Sequence, residues 1–412
     1  MRGGVPARDV HDESSSTDAG SDLRARARRY SIVARVLLVL DSSAAWSRGI
    51  LRGFAQVAHE QGWTVLHCHP ASNLERLAIE LPPQAAVLGP TFAGPWPEQL
   101  QGCVSVAINA DRCAEGVASV CLDEARVTEL AVSHLLGRGF RKLTTVRFDA
   151  WARGRERRFQ EAALRAGACL EPSWSSDAVA PRCLEDDPAA IMAWLSGLKK
   201  PCGIFACTDA WARVVARYAS IVGLRIPEDL ALIGVDNDAL ECEIAAPPLS
   251  SVAVPWGRYG ETAARLVQSG LRGDLIAGTR VLVEPLDVVV RRSSDTFAIE
   301  DPLVAAAVAW IHGHVEERLT VPRIATALHA TRQRLERGFR RHLGRTVLDE
   351  IHSARVGVAR RLLWNTDLPL IDVARRSGFT NAALLNVAFH REVGMPPGAY
   401  RRRLRGSLGV SD

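Results

Sequence analysis

Residues 321–344 read VPRIATALHATRQRLERGFRRHLG, and this stretch decides the architecture of the C-terminal part. Ile324, Ala325 and Leu328 recur at helical spacing and form one apolar face. The pattern breaks at His329–Ala330. A second helix follows, in which Leu335 and Phe339 point inward while Arg332, Gln333, Arg334, Glu336, Arg337, Arg340 and Arg341 point outward. Two short helices, the second basic and exposed, predict a helix-turn-helix. Residues 369–394, PLIDVARRSGFTNAALLNVAFHREVG, repeat the plan. There Ile371, Val373 and Ala374 are expected to pack the first helix, Gly378 to make the turn, and Leu385 and Phe389 to pack the second. The intervening stretch 347–364 carries Ile351, Ala354, Val358, Leu362 and Leu363, enough to predict a helix that fixes the spacing of the two units. In all, helices are predicted over 302–318, 321–328, 331–342, 347–364, 370–376 and 381–392, and no strand pattern appears beyond residue 302.

Charge divides the 412-residue chain at the same place. From Ala298 to Asp412 there are 18 Arg, no Lys and 11 acidic residues, a net +7. The first 297 residues hold 33 basic and 35 acidic side chains, a net −2, so the whole excess of +5 comes from the C-terminal part. A basic helical part with outward arginines predicts a polyanion partner, namely double-stranded DNA.

The preceding region alternates apolar runs with helical periodicity. Strands are predicted at 34–41, 63–69, 85–89, 104–109, 142–148, 203–209, 230–236 and 281–290, and helices over 47–62 and 124–136. This alternation predicts a doubly wound α/β fold, and its length of about 260 residues suits two lobes rather than one. Residues 1–30, rich in Ser, Asp, Gly and Arg without apolar period, read as a disordered tail. The expected domains are therefore 1–30, 31–297 and 298–412. An apolar fraction of 47% excludes wholesale disorder. The chain has no uninterrupted apolar stretch of transmembrane length and no recognisable secretory signal, so no membrane partner and a cytoplasmic location are expected. Nine cysteines without a CxxC pair read as reduced thiols. His67 and His69 share a strand face, but two ligands do not make a metal site. No nucleotide-binding or nucleophile-elbow motif occurs, and no cofactor is expected.

The C-terminal part resembles the AraC/XylS family of transcription regulators over about 110 residues, most specifically in IDVARRSGFTNAALLNVAFHREVGMPPGAYRRR (371–403). The resemblance places the base-reading positions of the first unit at Gln333, Glu336 and Arg337. Arg337 suits guanine O6 and N7, and Gln333 suits adenine. Arg332, Arg340 and Arg341 are expected at phosphates, which set register without reading sequence. The second unit departs from the family pattern, with Leu384–Leu385 and Val387 where an aromatic pair and a basic residue are usual. Thr380, Asn381 and Asn386 remain as its polar candidates. The first unit is thus expected to supply most base specificity, while the second holds the backbone and touches a thymine methyl.

The α/β part resembles the LacI-type and periplasmic sugar-binding fold in ACTDAWARVVARYASIVGLRIPEDLALIGVDNDAL (206–240), APPLSSVAVPWGRYGETAARLV (246–267) and WARGRERRF (151–159). The resemblance implies a two-lobed sensing domain whose ligand sits between the lobes. Sugars are held by planar polar groups and an aromatic face, and in open α/β sheets ligands lie beyond the carboxyl ends of strands. The residues so placed are Trp46, Arg48, Asp123, Trp151, Arg155, Asp209 and Asp236. Helix capping is the alternative for Asp123, ordinary packing for Trp46, and a turn or cap role for Asp209 and Asp236. The combination implies a sugar-responsive regulator, with a pentose such as xylose as the expected effector. A homodimer engaging operator half-sites and recruiting RNA polymerase is implied with it. SSAAWSRG (42–49) departs from the charged version of the family. A different small molecule, or a lobe that has lost its ligand, therefore stays open, as does a sugar-modifying enzyme more remotely.

Overall fold

The computed structural model describes residues 34–90, 98–100, 102–108, 117–148, 150–175, 188–299 and 301–408. The expected tail 1–30 lies outside the described residues. The strands are β1 (Arg35–Val39), β2 (Thr64–Cys68), β3 (Ala85–Leu88), β4 (Val104–Ile108), β5 (Ala118–Leu122), β6 (Lys142–Arg147), β7 (Cys169–Leu170), β8 (Trp174–Ser175), β9 (Cys202–Ala206), β10 (Leu230–Asp236), β11 (Ser250–Ala253), β12 (Arg280–Val283) and β13 (Val288–Val289). The helices are α1 (Ala45–Glu60), α2 (Leu74–Glu80), α3 (Glu124–Gly137), α4 (Arg153–Arg165), α5 (Pro188–Gly197), α6 (Asp209–Ile221), α7 (Ala239–Ile244) and α8 (Trp256–Arg272). Beyond them come α9 (Pro302–Gly313), α10 (Val321–Ala327), α11 (Arg332–Leu343), α12 (Val347–Asn365), α13 (Leu370–Arg376), α14 (Ala382–Val393) and α15 (Pro397–Leu408).

The strands form two sheets. The first runs β12-β5-β4-β3-β1-β2, with every pairing parallel. The second runs β13-β11-β10-β9-β6-β7, with β8 beside β6, and is parallel except for β11 against β13. Both sheets wind outward from an early strand (β1, β6) in the same order, so the chain builds one doubly wound plan twice. Buried strands such as β3 and β9 are apolar on both faces, as parallel strands covered by helices must be. The chain crosses between lobes three times, at 122–124, 253–256 and 283–288.

The third crossing corrects the single strand expected over 281–290. Pro285 cannot donate to a ladder, and the run divides there into β12 in one sheet and β13 in the other. In the first lobe α1 and α8 come into backbone contact because both are glycine-bearing. A Cβ on Gly53 would run into the carbonyl of Gly257, and one on Gly260 into that of Ile50.

The helical part holds two cores strung on α12. Val347, Ile351 and Ala354 join Ile324, Leu335 and Phe339 in one; Val356, Ala359 and Leu363 join Val373, Leu385 and Phe389 in the other. The two units share their local devices. Thr331 caps α11 through the Arg334 amide, and Asn381 caps α14 through the Leu384 amide. Both helices end on a left-handed glycine, Gly344 or Gly394. The turns carry His329 at φ 50° and Gly378 at φ 80°. A Cβ on Gly378 would meet the Val315 carbonyl, which explains glycine there. Ile371 corrects an expectation: it is exposed, because the buried arc of α13 is set by Val373, Ala374 and Ser377. Helix α9 stops at Gly313, short of the expected 318, and α15 was not expected at all.

Candidate ligand cleft and nucleic-acid interface

The cleft is built from the carboxyl ends of strands of both lobes. At the first crossover β5 ends and α3 begins. Asp123 caps α3 by accepting the Arg126 amide at 3.0 Å, and its own amide donates to Val283 O at 3.0 Å. The capping alternative therefore describes Asp123. The next residue, Glu124, takes the Arg155 guanidinium in a two-pronged pair, at 2.6 Å from Nε and 2.7 Å from Nη2. Arg155 Nη1 donates to Cys207 O at 2.6 Å. Burial alone would lower the Arg155 pKa, but the charge and hydrogen bonds of Glu124 more than reverse this, so the guanidinium stays charged. The sequence places Arg155 at the cleft; the structure adds that its three nitrogens are already engaged.

Trp151 lies beside it, its ring centroid 5.3 Å from the Arg155 guanidinium carbon. The ring leans on Trp211 at 5.8 Å, and Trp211 leans on Phe148 at 5.7 Å. Trp211 is buried, whereas Trp151 is 54% exposed and presents an aromatic surface to solvent. An exposed indole braced from behind by a buried one is a suitable platform for stacking.

Asp209 opens α6 after the Thr208 cap and is buried. Its Oδ2 accepts the Asp238 amide at 2.8 Å. Its other oxygen lies against Gly234, where any Cβ would collide. Burial pushes the Asp209 pKa up to about 7, although hydrogen bonds from Ser251 and Asp238 pull the other way. Asp209 thus holds the turn after β10 in place. That turn is strained: Asp236 has φ 106° and Asn237 φ 55°, both rare for non-glycine residues. It is braced by Arg291, which donates to Asn237 Oδ1 at 2.8 Å and Leu249 O at 2.9 Å, and by Ser251, which accepts the Asn237 amide at 2.9 Å. Asp236 is partly exposed at the end of β10. Burial raises its pKa, the charge of Asp209 adds to the rise, and Arg155 opposes it.

The first lobe contributes the turn after β1. Arg48 donates to Ser42 O at 3.0 Å and to Ser43 O, and thereby shapes that turn while its side chain stays exposed. Trp46 leans on Trp256 at 5.9 Å, and Trp256 on Tyr259 at 5.4 Å. The indole nitrogen of Trp256 is buried and has no acceptor among the described residues. The structure therefore brings Trp151, Arg155, Asp209 and Asp236 together on the second lobe, Trp46 and Arg48 on the first, and Asp123 at the crossover. Glu124, Asn237, Trp211, Trp256 and Arg291 were not anticipated. The signal for Glu124 lay in the doubled acid of LDEAR at a strand end.

On the helical part, Arg332, Gln333, Arg337, Arg340 and Arg341 are exposed on α11, and Glu336 is half-buried. Arg332 and Glu336 pair along the helix at 2.8 Å. In the second unit Thr380, Asn381 and Asn386 are exposed. The Asn381 carbonyl oxygen is committed to capping α14. Leu384 and Val387 stand exposed beside them, so this helix presents an apolar surface where α11 presents a basic one.

A periplasmic binding protein-like domain is matched at residues 132–294 and a helix-turn-helix domain at 324–403. The chain thus joins a periplasmic binding protein-like domain to a C-terminal helix-turn-helix domain. It is homologous to xylose operon regulatory proteins. It is 28% identical over 287 residues to that of Haemophilus influenzae, covering 68% of this chain and 74% of that protein. With that of Escherichia coli K12 it shares 31% identity over 208 residues, 50% of this chain and 53% of the other. The match thus spans about half the length of the latter. A solved xylose-binding transcription activator has the same fold, with a TM-score of 0.52, 23% identity, and coverage of 90% of this chain and 98% of that one. Among the described residues no helix is long and apolar enough to cross a membrane.

Proposed function

We propose that the chain is a sugar-responsive, sequence-specific DNA-binding regulator that activates a sugar catabolic operon, with a pentose such as xylose as effector. The sensing domain is assigned to 31–297 and the DNA-binding domain to 298–412, following a tail at 1–30. The observation that carries the reading is the Asp236 turn, a strained non-glycine backbone at the end of β10 that three neighbours brace. Backbone strain of this kind persists where a site needs it. The exposed Trp151 ring beside Arg155 supplies the stacking face. The names of the relatives agree with the same effector class.

In this reading Asp236 accepts ligand hydroxyls, Trp151 and Trp46 offer aromatic faces, and Arg48 completes the first lobe's side. Arg155, Asp209 and Asp123 position that set through Glu124, the 236–238 turn and α3. Ligand closes the lobes only through its greater affinity for the closed state. Arg337, Gln333 and Glu336 read bases; Arg332, Arg340 and Arg341 bind phosphates; Thr380, Asn381 and Asn386 serve the second unit. A homodimer in the cytoplasm, binding repeated half-sites and recruiting RNA polymerase, completes the account. The chain performs no catalysis in it. One observation favours a different small molecule: Arg155 and Asp209, both expected to hold sugar hydroxyls, are spent on internal contacts.

The test is selection of a DNA site from random sequence by the full chain, followed by titration of that site with and without D-xylose. Specific binding that D-xylose strengthens supports the proposal. Specific binding indifferent to every pentose transfers the sensing lobe to another ligand.

A further inference from the structure

The third crossover is gripped by the DNA-binding part. Asp287, buried between β12 and β13, accepts the Tyr400 hydroxyl at 3.0 Å through Oδ2. Arg360 Nε of α12 lies 3.3 Å from the same oxygen. Arg403 of α15 reaches Glu284 Oε2 and Pro285 O, each at 3.0 Å. Leu286 packs against the second unit's core, which includes Phe389 and Tyr400. The second crossover is tied into the same knot, because Asp287 O accepts the Ala253 amide and Ala253 O the Leu286 amide, both at 2.8 Å.

The remaining contacts of the helical part fall on both lobes. Helix α15 packs against α8, which belongs to the first lobe. The first unit touches the second lobe instead: Arg345 donates to Gly137 O at 3.1 Å, at the end of α3. Close by, Phe297 lies between Arg138, at 5.5 Å, and His312, at 4.9 Å. One helical body, joined through the 19-residue α12, thus touches the first lobe and the hinge near its C-terminus and the second lobe near its start. Rotation of one lobe against the other cannot leave both attachments unchanged.

We infer that Asp287, Tyr400 and Arg360, with Arg403 and Glu284 outside them, form a clasp that holds the second helix-turn-helix unit against the hinge, and that lobe movement loosens it. The inference rests on the regulator reading and supplies its transmission step. The clasped second unit cannot follow a half-site freely, so apparent DNA affinity is reduced by the fraction of unclasped molecules.

The experiment uses full-length Tyr400→Phe and Asp287→Asn, with Arg403→Gln as a milder variant should either fail to fold. DNA selected by the wild-type chain is titrated without any sugar, and amide hydrogen exchange is followed over 370–393 and over 321–343. The clasp predicts sugar-free affinity raised by about fivefold or more. It also predicts faster exchange confined to 370–393. Unchanged affinity with unchanged exchange would overturn it, as would lowered affinity, which would make the contact a support for DNA binding rather than a restraint. If the wild-type chain selects no DNA, the regulator reading fails, and the exchange pattern alone still decides whether the clasp restrains the second unit.

Discussion

Glu124 and Arg155 form a two-pronged ion pair, 2.6 and 2.7 Å, that joins the first crossover to the second lobe beneath the exposed Trp151 ring. The guanidinium is almost fully buried, with its side chain 4% exposed, while the carboxylate is 25% exposed. Removing one partner leaves a buried charge uncompensated. Glu124→Gln is therefore expected to cost about 3 kcal/mol of stability. Glu124→Leu combined with Arg155→Met should cost less than the two single changes added together. Urea denaturation of the wild type, Glu124→Gln, the two cycle single variants and the double variant measures both; additivity would mean the pair is not coupled.

Asp209 makes stability depend on pH in a defined direction. Its folded pKa of about 7 lies above the ordinary 3.8, so folding favours the protonated form. The resulting stabilisation is full below about pH 4 and is lost as pH rises through 7, at most about 4 kcal/mol. Asp209→Asn cannot titrate and should flatten this part of the profile. The urea midpoints of the two proteins, compared at pH 5 and pH 8, should therefore differ by different amounts, with the variant gaining on the wild type at pH 8. Equal differences at both values would contradict the assignment.

The contact of α1 with α8 leaves no space at Gly53. Gly53→Ala drives a methyl into the Gly257 carbonyl and must spread the helices. A loss of about 3 kcal/mol is expected despite alanine's better helix propensity. A thermal melt that moves upward, as propensity alone demands, would show that the helices do not pack this closely.

Much of this was legible beforehand because it rests on periodicity. Leu335, Phe339, Leu385 and Phe389 were placed inside both helix-turn-helices by spacing alone, and all four are buried. The Val281–Val290 run was misread because both its halves are rich in Val and Leu, while Glu284, Pro285 and Asp287 between them mark where the chain changes sheets. Ile371 was misplaced because a seven-residue helix has too little arc to reveal its buried face. The positions of the candidate cleft residues were legible from apolar runs: Asp236 ends β10 and Asp209 stands three residues beyond β9. Whether a carboxylate faces ligand or holds a turn depends on partners distant in sequence, as Asp209 with Asp238 and Gly234 shows. The clasp was invisible for the same reason, since Asp287 and Tyr400 lie 113 residues apart.

Arg337 is exposed on α11, without the intrahelical partner that Arg332 finds in Glu336. If it reads guanine, Arg337→Ala costs about 1–3 kcal/mol at the selected site and relaxes preference at one base pair. Arg340→Ala should weaken binding across sequences and reduce the salt dependence by roughly one phosphate contact. Gel-shift titrations on selected and scrambled DNA separate the two. A uniform loss for Arg337→Ala would move it to the backbone.

In the proposed function, the strand-end turn at Asp236 binds a sugar. The most direct measurement is the melting temperature of the full chain against D-xylose, other pentoses, hexoses and polyols, repeated for Asp236→Asn. A ligand that binds only the folded state raises the melting temperature by mass action. The account predicts an upward shift with one pentose at millimolar concentration and its loss in the variant. No shift with any sugar, or an equal shift in Asp236→Asn, would contradict it.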